Sequence, residues 1–514
     1  MANHKIDPLF ELIKSLTKTE KRHFRLFVNR SGNTDDVKFI KLFDAMESMK
    51  SYDDLAILNK VPSIKKVQFS NQKAHLYKQV LSSLRHYHSN QNIDIQLRES
   101  LDHAKILYNK GLYKQALKLL EKSKNVAKES KHHTLALEMM EFEKLIESHY
   151  ITRSIDTRAE ELTNEVNETT NIIYSSNKLS NLALNLYGLY LKNGHAKNER
   201  DIEGVQKYFD DNIPEVNIGS LNFYEQLHFH QCHVWFNTII QNFPNCYKHA
   251  NSWIELFKNN PEMAKRQPVQ FIKGYHNLLS ALFHLQYYSR FCDVLSELEA
   301  LEHNEEIVKD LNTQVLVFKF LFSSRANKHF MEGSFDEGVK LIPELLVKLD
   351  EYSTKIDAER LLLFYYKIAT LYFGSGDNHK AIHYLNKIVN FKEVNLREDI
   401  HCFARILNLI AHFDAGEDQQ LEYQIKSTFQ FIGKMNDQQA VQKEIFQFLR
   451  KSGKIKPNEL KNEFQLLHDR ISLYKDHISE RRPFLYLDIL SWLKSKIENR
   501  PVQQVMQEKF KTLK

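Results

Sequence analysis

The chain has 514 residues, with only 14 glycines and 10 prolines, roughly 3% and 2% where average proteins carry ~7% and ~5%. That scarcity argues against nucleotide-binding and doubly wound folds, which need glycine turns where strands pass into helices, and it favours long helices with short loops. The net charge of +6 is unevenly spread: residues 1–90 and 450–514 each carry a balance of +7 and the stretch between them −8, a pattern that bears on partners rather than on fold.

In chain order, Asp7 caps a first helix with Pro8 at its first position, where the missing N–H costs nothing. Thr17 and Glu20 have the spacing of a capping box, so a second helix starts there and runs to about Asn29. At 100° per residue Lys18, Lys21, Arg22 and Arg25 form one basic stripe on it, a candidate contact for phosphate or an acidic protein, with a plain solvated face as the alternative. Further helices are predicted over 36–49, 52–59 and 68–88. The last is expected to bury Leu76, Tyr77, Val80, Leu81, Leu84 and Tyr87 and to leave Lys73, Lys78, Arg85 and His86 outside. Short helices followed by a longer basic one resemble helix-turn-helix DNA readers, whereas a packed cap on a helical array needs no nucleic acid. The cap is the preferred reading of residues 1–92.

From residue 93 apolar residues recur at three- and four-residue steps. In "LLLFYYKIATLYF" Phe364, Ile368, Leu371 and Tyr372 share a face, Gly376 breaks the helix, and Ala381, Leu385, Ile388 and Val389 point inward from the next. The same grammar places a turn at Gly111 with Ala116 five residues on, at Gly333 with Gly338, and at Gly416 with Leu421. Weaker copies turn near Ser154, Gly194, Asn245 and Tyr287, at intervals of about 40 to 51 residues, as helical-hairpin arrays do.

The segments "YYKIATLYFGSGDNHKAIHYL" and "NKGLYKQALKLLEKS" resemble tetratricopeptide repeats, through Tyr365, Ala369, Tyr372, Gly376 and Ala381, although the period exceeds the ~34 residues of that family. Over residues 93–436 the resemblance implies an all-α, right-handed solenoid with a concave ligand-binding face and no catalytic activity. Lys, Arg and Asn on successive first helices capture carboxylates in some members. Here those helices offer mostly Leu, Phe and Tyr with Asn181, Asn185 and Asn277, so that activity is not carried over; a more apolar groove would favour a peptide or helix partner, with plain inter-repeat core as the preferred reading of these apolar residues.

"HFHQCH" is the most metal-like string. On a helix His228 and Cys232 share one face and His230 and His233 another, so a site would need ligands from elsewhere, and no metal is expected. HExxH, GxSxG and GxxxxGK[ST] are absent, and Glu160–Glu161 and Asp210–Asp211 diverge on a helix. No cofactor is expected either. After residue 437 a C-terminal helical cap over 437–514 is predicted. Its stripe of Leu485, Ile489, Trp492, Leu493 and Ile497 covers the array or, alternatively, forms a homo-oligomer seam. Four dispersed cysteines without CxxC, no signal-like N-terminus and no ~18-residue apolar run lead to the expectation of a cytoplasmic protein without membrane spans. Its expected role is that of a non-catalytic scaffold or adaptor for a protein or peptide, with a nucleic-acid-associated regulator acting through the N-terminal module as the alternative.

Overall fold

The computed structural model describes residues 7–29, 34–90, 92–149, 157–215, 217–391, 396–435, 439–452, 455–475, 477, 480, 482–485 and 488–513. Among these the chain is all-helical, without a strand. None of their helices is long and apolar enough to cross a membrane. The chain divides into two compact units, residues 1–174 and 175–514.

The first unit opens with α1 (Pro8–Ser15), α2 (Lys18–Asn29), α3 (Thr34–Ser48), α4 (Asp54–Lys60) and α5 (Lys66–His88). The predicted caps are there. Asp7 accepts from the backbone N–H of Leu9 and Phe10 at 3.0 Å each, and Thr17 N–H donates to Glu20 at 2.7 Å while Glu20 N–H donates to the Thr17 hydroxyl at 3.2 Å. The five helices share one core, in which Ile13, Phe24, Phe43, Met46, Leu76 and Val80 are buried. The inward face of α5 is narrower than periodicity predicts. Its buried positions are Phe69, Leu76, Val80 and Ser83, while Tyr77 and Leu81 are exposed, because α1, α2 and α3 cover only a narrow stripe of it. Lys73, expected outside, is drawn inward to Asp7 at 2.8 Å and lies 4.8 Å over the ring of Phe69. Next come α6 (Ile93–Asn109), α7 (Tyr113–Glu129) and α8 (His133–His149), stacked in sequence around Leu101, Ala104, Ala116, Leu120 and Met139. The division between units falls within α9 (Ala159–Asn193).

The second unit continues with α10 (Glu199–Asn212), α11 (Phe223–Ile239), α12 (Phe243–Lys258), α13 (Pro261–Arg266), α14 (Pro268–Leu285), α15 (Tyr288–Glu302), α16 (Leu311–Glu332), α17 (Phe335–Val339) and α18 (Ile342–Glu351). It ends with α19 (Ala358–Gly374), α20 (Asn378–Val389), α21 (Glu398–Asp414), α22 (Asp418–Lys434), α23 (Ala440–Ser452), α24 (Pro457–Ser472), α25 (Ile489–Glu498) and α26 (Val502–Leu513). Helices pack chiefly on their near neighbours in sequence.

Turn chemistry sets this succession. Gly111, Gly194, Gly333, Gly376 and Gly416 all have positive φ, the conformation that closes a helix at least cost when no Cβ is present. Lys131, Gln241 and Gln286 adopt it too, at φ 63°, 61° and 57°. The turns expected near Asn245 and Tyr287 therefore lie slightly earlier, and the one near Ser154 falls outside the described residues. Five residues after these turns Ala116, Ala136, Cys246, Phe291, Gly338, Ala381 and Leu421 are buried, where the second helix meets the first. After Gly194 the position is Glu199, which is exposed.

The run of helices in the second unit returns to its own beginning. Arg397 N–H donates to the carbonyl of Leu191 at 3.1 Å, and Lys197 reaches both Glu398 and the carbonyl of Met435 at 3.0 Å. The Gln439 side chain donates to the carbonyl of Lys197 at 3.3 Å. At this seam Gly194, with φ +71°, abuts Asp399 so closely that a Cβ would sit 2.2 Å from its carboxylate. The C-terminal helices fold back on the same unit. Ile489, Trp492 and Leu493 are buried, with the indole N–H donating to Asp414 at 3.0 Å, so the middle of the expected stripe packs within the chain, while Leu485 and Ile497 are half-buried. Further on, α26 covers the turn at Gly333 and sets Phe510 edge-on to Tyr288.

Candidate anion-binding face

The N-terminal stripe divides into two halves. Lys21 pairs with Glu47 at 3.3 Å, and Arg25 with Asp44 at 2.8 Å and also with Glu47, all across to α3. These two cations hold helices together. Lys18 and Arg22, one turn apart, are exposed and make no ion pair among the described residues.

A second set of cations, unmarked by any motif, lies on α14, α16 and α19. Phe320 of α16 organises it. The His276 ring of α14 stacks on Phe320 with centroids 4.0 Å apart and planes within 2°, and the Arg360 guanidinium of α19 lies 5.4 Å from the same centroid. Lys273 precedes His276 by one turn, and Lys319 adjoins Phe320. Lys367 follows Arg360 by seven residues, hence on the same side of α19. It donates to the side-chain oxygen of Asn327 and lies 5.4 Å over Phe330. Lys273 is exposed, and Lys319 and Lys367 are half-buried.

Arg360 is the charge that acts on each of the lysines and on His276. Burial, with the Arg360 charge added to it, brings the Lys367 ammonium down to about 7. Lys273 is lowered too, by burial of its charged end although the residue as a whole is exposed, and then by Arg360. Lys319 is lowered by burial, against partial relief from Asp357 and Glu359. His276 is held neutral, well below its ordinary value, by burial and then by Arg360, Lys367, Lys319 and Lys273.

The neighbouring carboxylates are committed elsewhere. Arg397 grips Asp399 at 2.9 and 2.7 Å and Glu359 at 3.0 Å. Asp357 caps α19 by accepting from Arg360 N–H at 2.8 Å. Among the described residues Lys273, Lys319 and Lys367 make no ion pair. On these helices Lys273, Lys319, Arg360 and Lys367 stand among the Leu, Phe and Tyr expected there. Of the asparagines singled out, Asn277 is buried and bonded to the carbonyl of Lys273 at 2.8 Å, and Asn181 and Asn185 are exposed on α9. One sign of the cluster is present in the sequence. Lys367 stands at helical spacing between Phe364 and Leu371, in the middle of an apolar stripe.

The histidine string is split by its helix. Cys232 points into the core, its thiol 3.2 Å from the carbonyl of Leu179 and pushed by burial to about 12. His230 meets His249 of α12 at 3.1 Å, and His233 stacks on His249 with centroids 4.1 Å apart. Burial, then His249, lowers His230 to about 4, and burial, then His233 and Lys248, lowers His249 to about 3. Among the described residues no group of three or more His, Cys, Asp or Glu is arranged to hold a metal ion. Glu160, Glu161, Asp210 and Asp211 are exposed. No protein-family model and no curated protein matches the chain.

Proposed function

We propose that the chain is a non-catalytic cytoplasmic adaptor, built as a right-handed solenoid of tetratricopeptide-like hairpins, that binds an acidic segment of a protein partner along the face bearing Lys273, Lys319, Arg360 and Lys367. The observation that carries this reading is the set of cations on three neighbouring helices whose lysines lack carboxylate partners among the described residues. Holding like charges together in a partly desolvated place costs stability, and an anionic ligand recovers it. The recurring turn with a buried residue five positions on supports the hairpin repeat. Four free cysteines suit a reducing compartment. Affinity capture from native lysate with the full chain and with Lys273→Glu/Lys319→Glu tests the reading. A stoichiometric partner held by the first and lost by the second is expected; equal recovery by both, or none by either, overturns it.

A second reading rests on Lys18 and Arg22, exposed and without ion pairs among the described residues, as phosphate contacts of a nucleic-acid-associated regulator. It requires affinity for nucleic acid to fall with salt, with a log–log slope of about −0.9 for each phosphate contacted on duplex DNA, and Lys18→Glu/Arg22→Glu to flatten that slope. A salt-independent affinity, or one indifferent to the double variant, removes it.

A further inference from the structure

A proline opens a groove in the second unit. The second helix of the hairpin that begins with α16 is broken into α17 and α18, because Pro343 has no N–H to donate to the carbonyl of Val339 and its ring clashes with that carbonyl. The second helix of the next hairpin, α20, runs unbroken. The gap left between α15 and α18 is floored by α16, on which Phe318, Leu321, Arg325 and Lys328 recur at three- and four-residue steps along one side. Two cavities of about 190 and 170 Å³ lie in line on this floor. The first is walled by Phe318, Leu321, Phe322, Leu345 and Tyr352, the second by Leu295, Ser296, Arg325 and Leu341. Their linings on α16 are centred about eight residues apart, roughly 12 Å at 1.5 Å per residue, which is about two turns of a helix laid alongside.

At one end of the groove a helix of this chain already crosses from wall to wall. Gln503 of α26 exchanges hydrogen bonds of 2.9 and 2.8 Å with Asp336 of α17, Met506 lies against Gly333 at the end of α16, and Phe510 meets Tyr288 of α15. One turn further along, at Cys292 and His329, the groove is open. We infer that this open stretch is a second interaction surface, independent of the cationic face, which takes an amphipathic helix of a partner protein: two large apolar side chains about two turns apart fill the cavities, and lysine or arginine lines the flanks. A strand would find no sheet edge here to bond with, whereas a helix needs only the pockets. The rims set the charge. Arg325 serves both Glu299 at 2.9 Å and Glu302 at 3.8 Å on α15, and Glu344 on α18 makes no ion pair among the described residues. Lys328 and Lys348 are paired with Glu332 and Glu351, so unmatched carboxylate charge stands on both rims and favours a basic occupant.

Fluorescence anisotropy of a labelled, capped helical peptide titrated with the full chain tests this. The probe is built of alanine, lysine and glutamine with two leucines seven residues apart; the controls set the leucines five residues apart, replace lysine with glutamate, or place proline at the centre. The probe is expected to bind at least tenfold more tightly than each control. Ser296→Trp, which fills the second cavity from an exposed position, is expected to weaken it at least tenfold, and Glu344→Lys, also exposed, several-fold, both at wild-type helicity and Tm. Equal binding of the shifted-leucine control overturns the two anchors, equal binding of the glutamate control overturns the basic flanks, and equal binding of the proline control overturns the helix in favour of an extended segment. Self-association of the chain alone in sedimentation, abolished by Ser296→Trp, assigns the groove to a second copy and overturns the partner. Binding of no probe, or binding indifferent to both variants, overturns the inference.

Discussion

Two cation clusters, one in each unit, are satisfied in opposite ways. In the first, Lys124 is only 1% exposed yet lies within 3.3 Å of Glu121, Glu143 and Glu165, and Arg158 joins Glu143 and Glu165 in the same network. Burial alone would lower the Lys124 ammonium, but those carboxylates outweigh it and raise it. Burial would likewise lift Glu165, but hydrogen bonds from Lys128 and Lys124 bring it to about 2. In the second unit the same desolvation acts on Lys273, Lys319 and Lys367 without matching carboxylates, and all three are lowered. A closed network uses its electrostatic energy inside the fold; an open one leaves it for whatever arrives.

The contrast is broken most directly at Glu143, whose side chain is 3% exposed and holds both Lys124 and Arg158. Glu143→Gln leaves two cations under-compensated and is expected to cost about 3–5 kcal/mol, measured by urea unfolding; a loss below about 1 kcal/mol would show that the network is not closed.

Acid separates the units by range. His230 and His249 have folded values of about 4 and 3, below an unfolded value near 6.5. The unfolded chain therefore binds more protons in that interval, and stability falls as pH drops from about 6.5 toward 4, by about 3 kcal/mol for a histidine shifted that far. Glu165, depressed to about 2, contributes about 3 kcal/mol that is full above pH ~4.5 and lost as pH falls toward 2. All three tryptophans, Trp235, Trp253 and Trp492, belong to the second unit. Their fluorescence should change at higher pH than the hydrogen-exchange protection of α7 and α8, and the reverse order would contradict this assignment.

A smaller effect, of opposite sign, is expected at Lys367. Its folded value near 7 against ~10.4 unfolded means that it destabilises the fold at neutral pH and less so as pH rises toward 10. Lys367→Met should raise stability by about 1–3 kcal/mol at pH 7 while removing anion affinity, seen as a higher Tm by calorimetry; an unchanged or lower Tm would mean that Lys367 is already satisfied. The smallest effect is at Lys131, exposed and at φ 63°. Lys131→Gly relieves a left-handed backbone and should add about 0.5–1 kcal/mol, whereas destabilisation would show that its side chain contributes more than its backbone costs.

What the sequence discloses follows from the range of each interaction. The Asp7 cap and the Thr17–Glu20 box span two or three residues, so identity and spacing suffice. The turn glycines declare their backbone by lacking a Cβ. Lys131, Gln241 and Gln286 take the same conformation without advertising it, so two turns lie a few residues from their expected places and the one at Lys131 has no sequence signal. Periodicity assigns Tyr77 and Leu81 inward, but what covers α5 is set by α1, α2 and α3. The candidate cationic face is hardest to see, since Lys273, Lys319, Arg360 and Lys367 come from three separate helices. Among the candidate stripe residues, the pairing of Lys21 and Arg25 is hidden for a similar reason: their partners Asp44 and Glu47 lie about 20 residues on.

The seam at Lys197 also has a history in time. Its partners Glu398, Met435 and Gln439 are 201, 238 and 242 residues away in sequence. A ribosome adding ~5–20 residues per second needs roughly 10–50 s to travel that distance. Until then the nascent array stands unlatched, its early helices stacked but with one flank bare, so chaperone demand should peak before residue 439 emerges and drop once the latch engages.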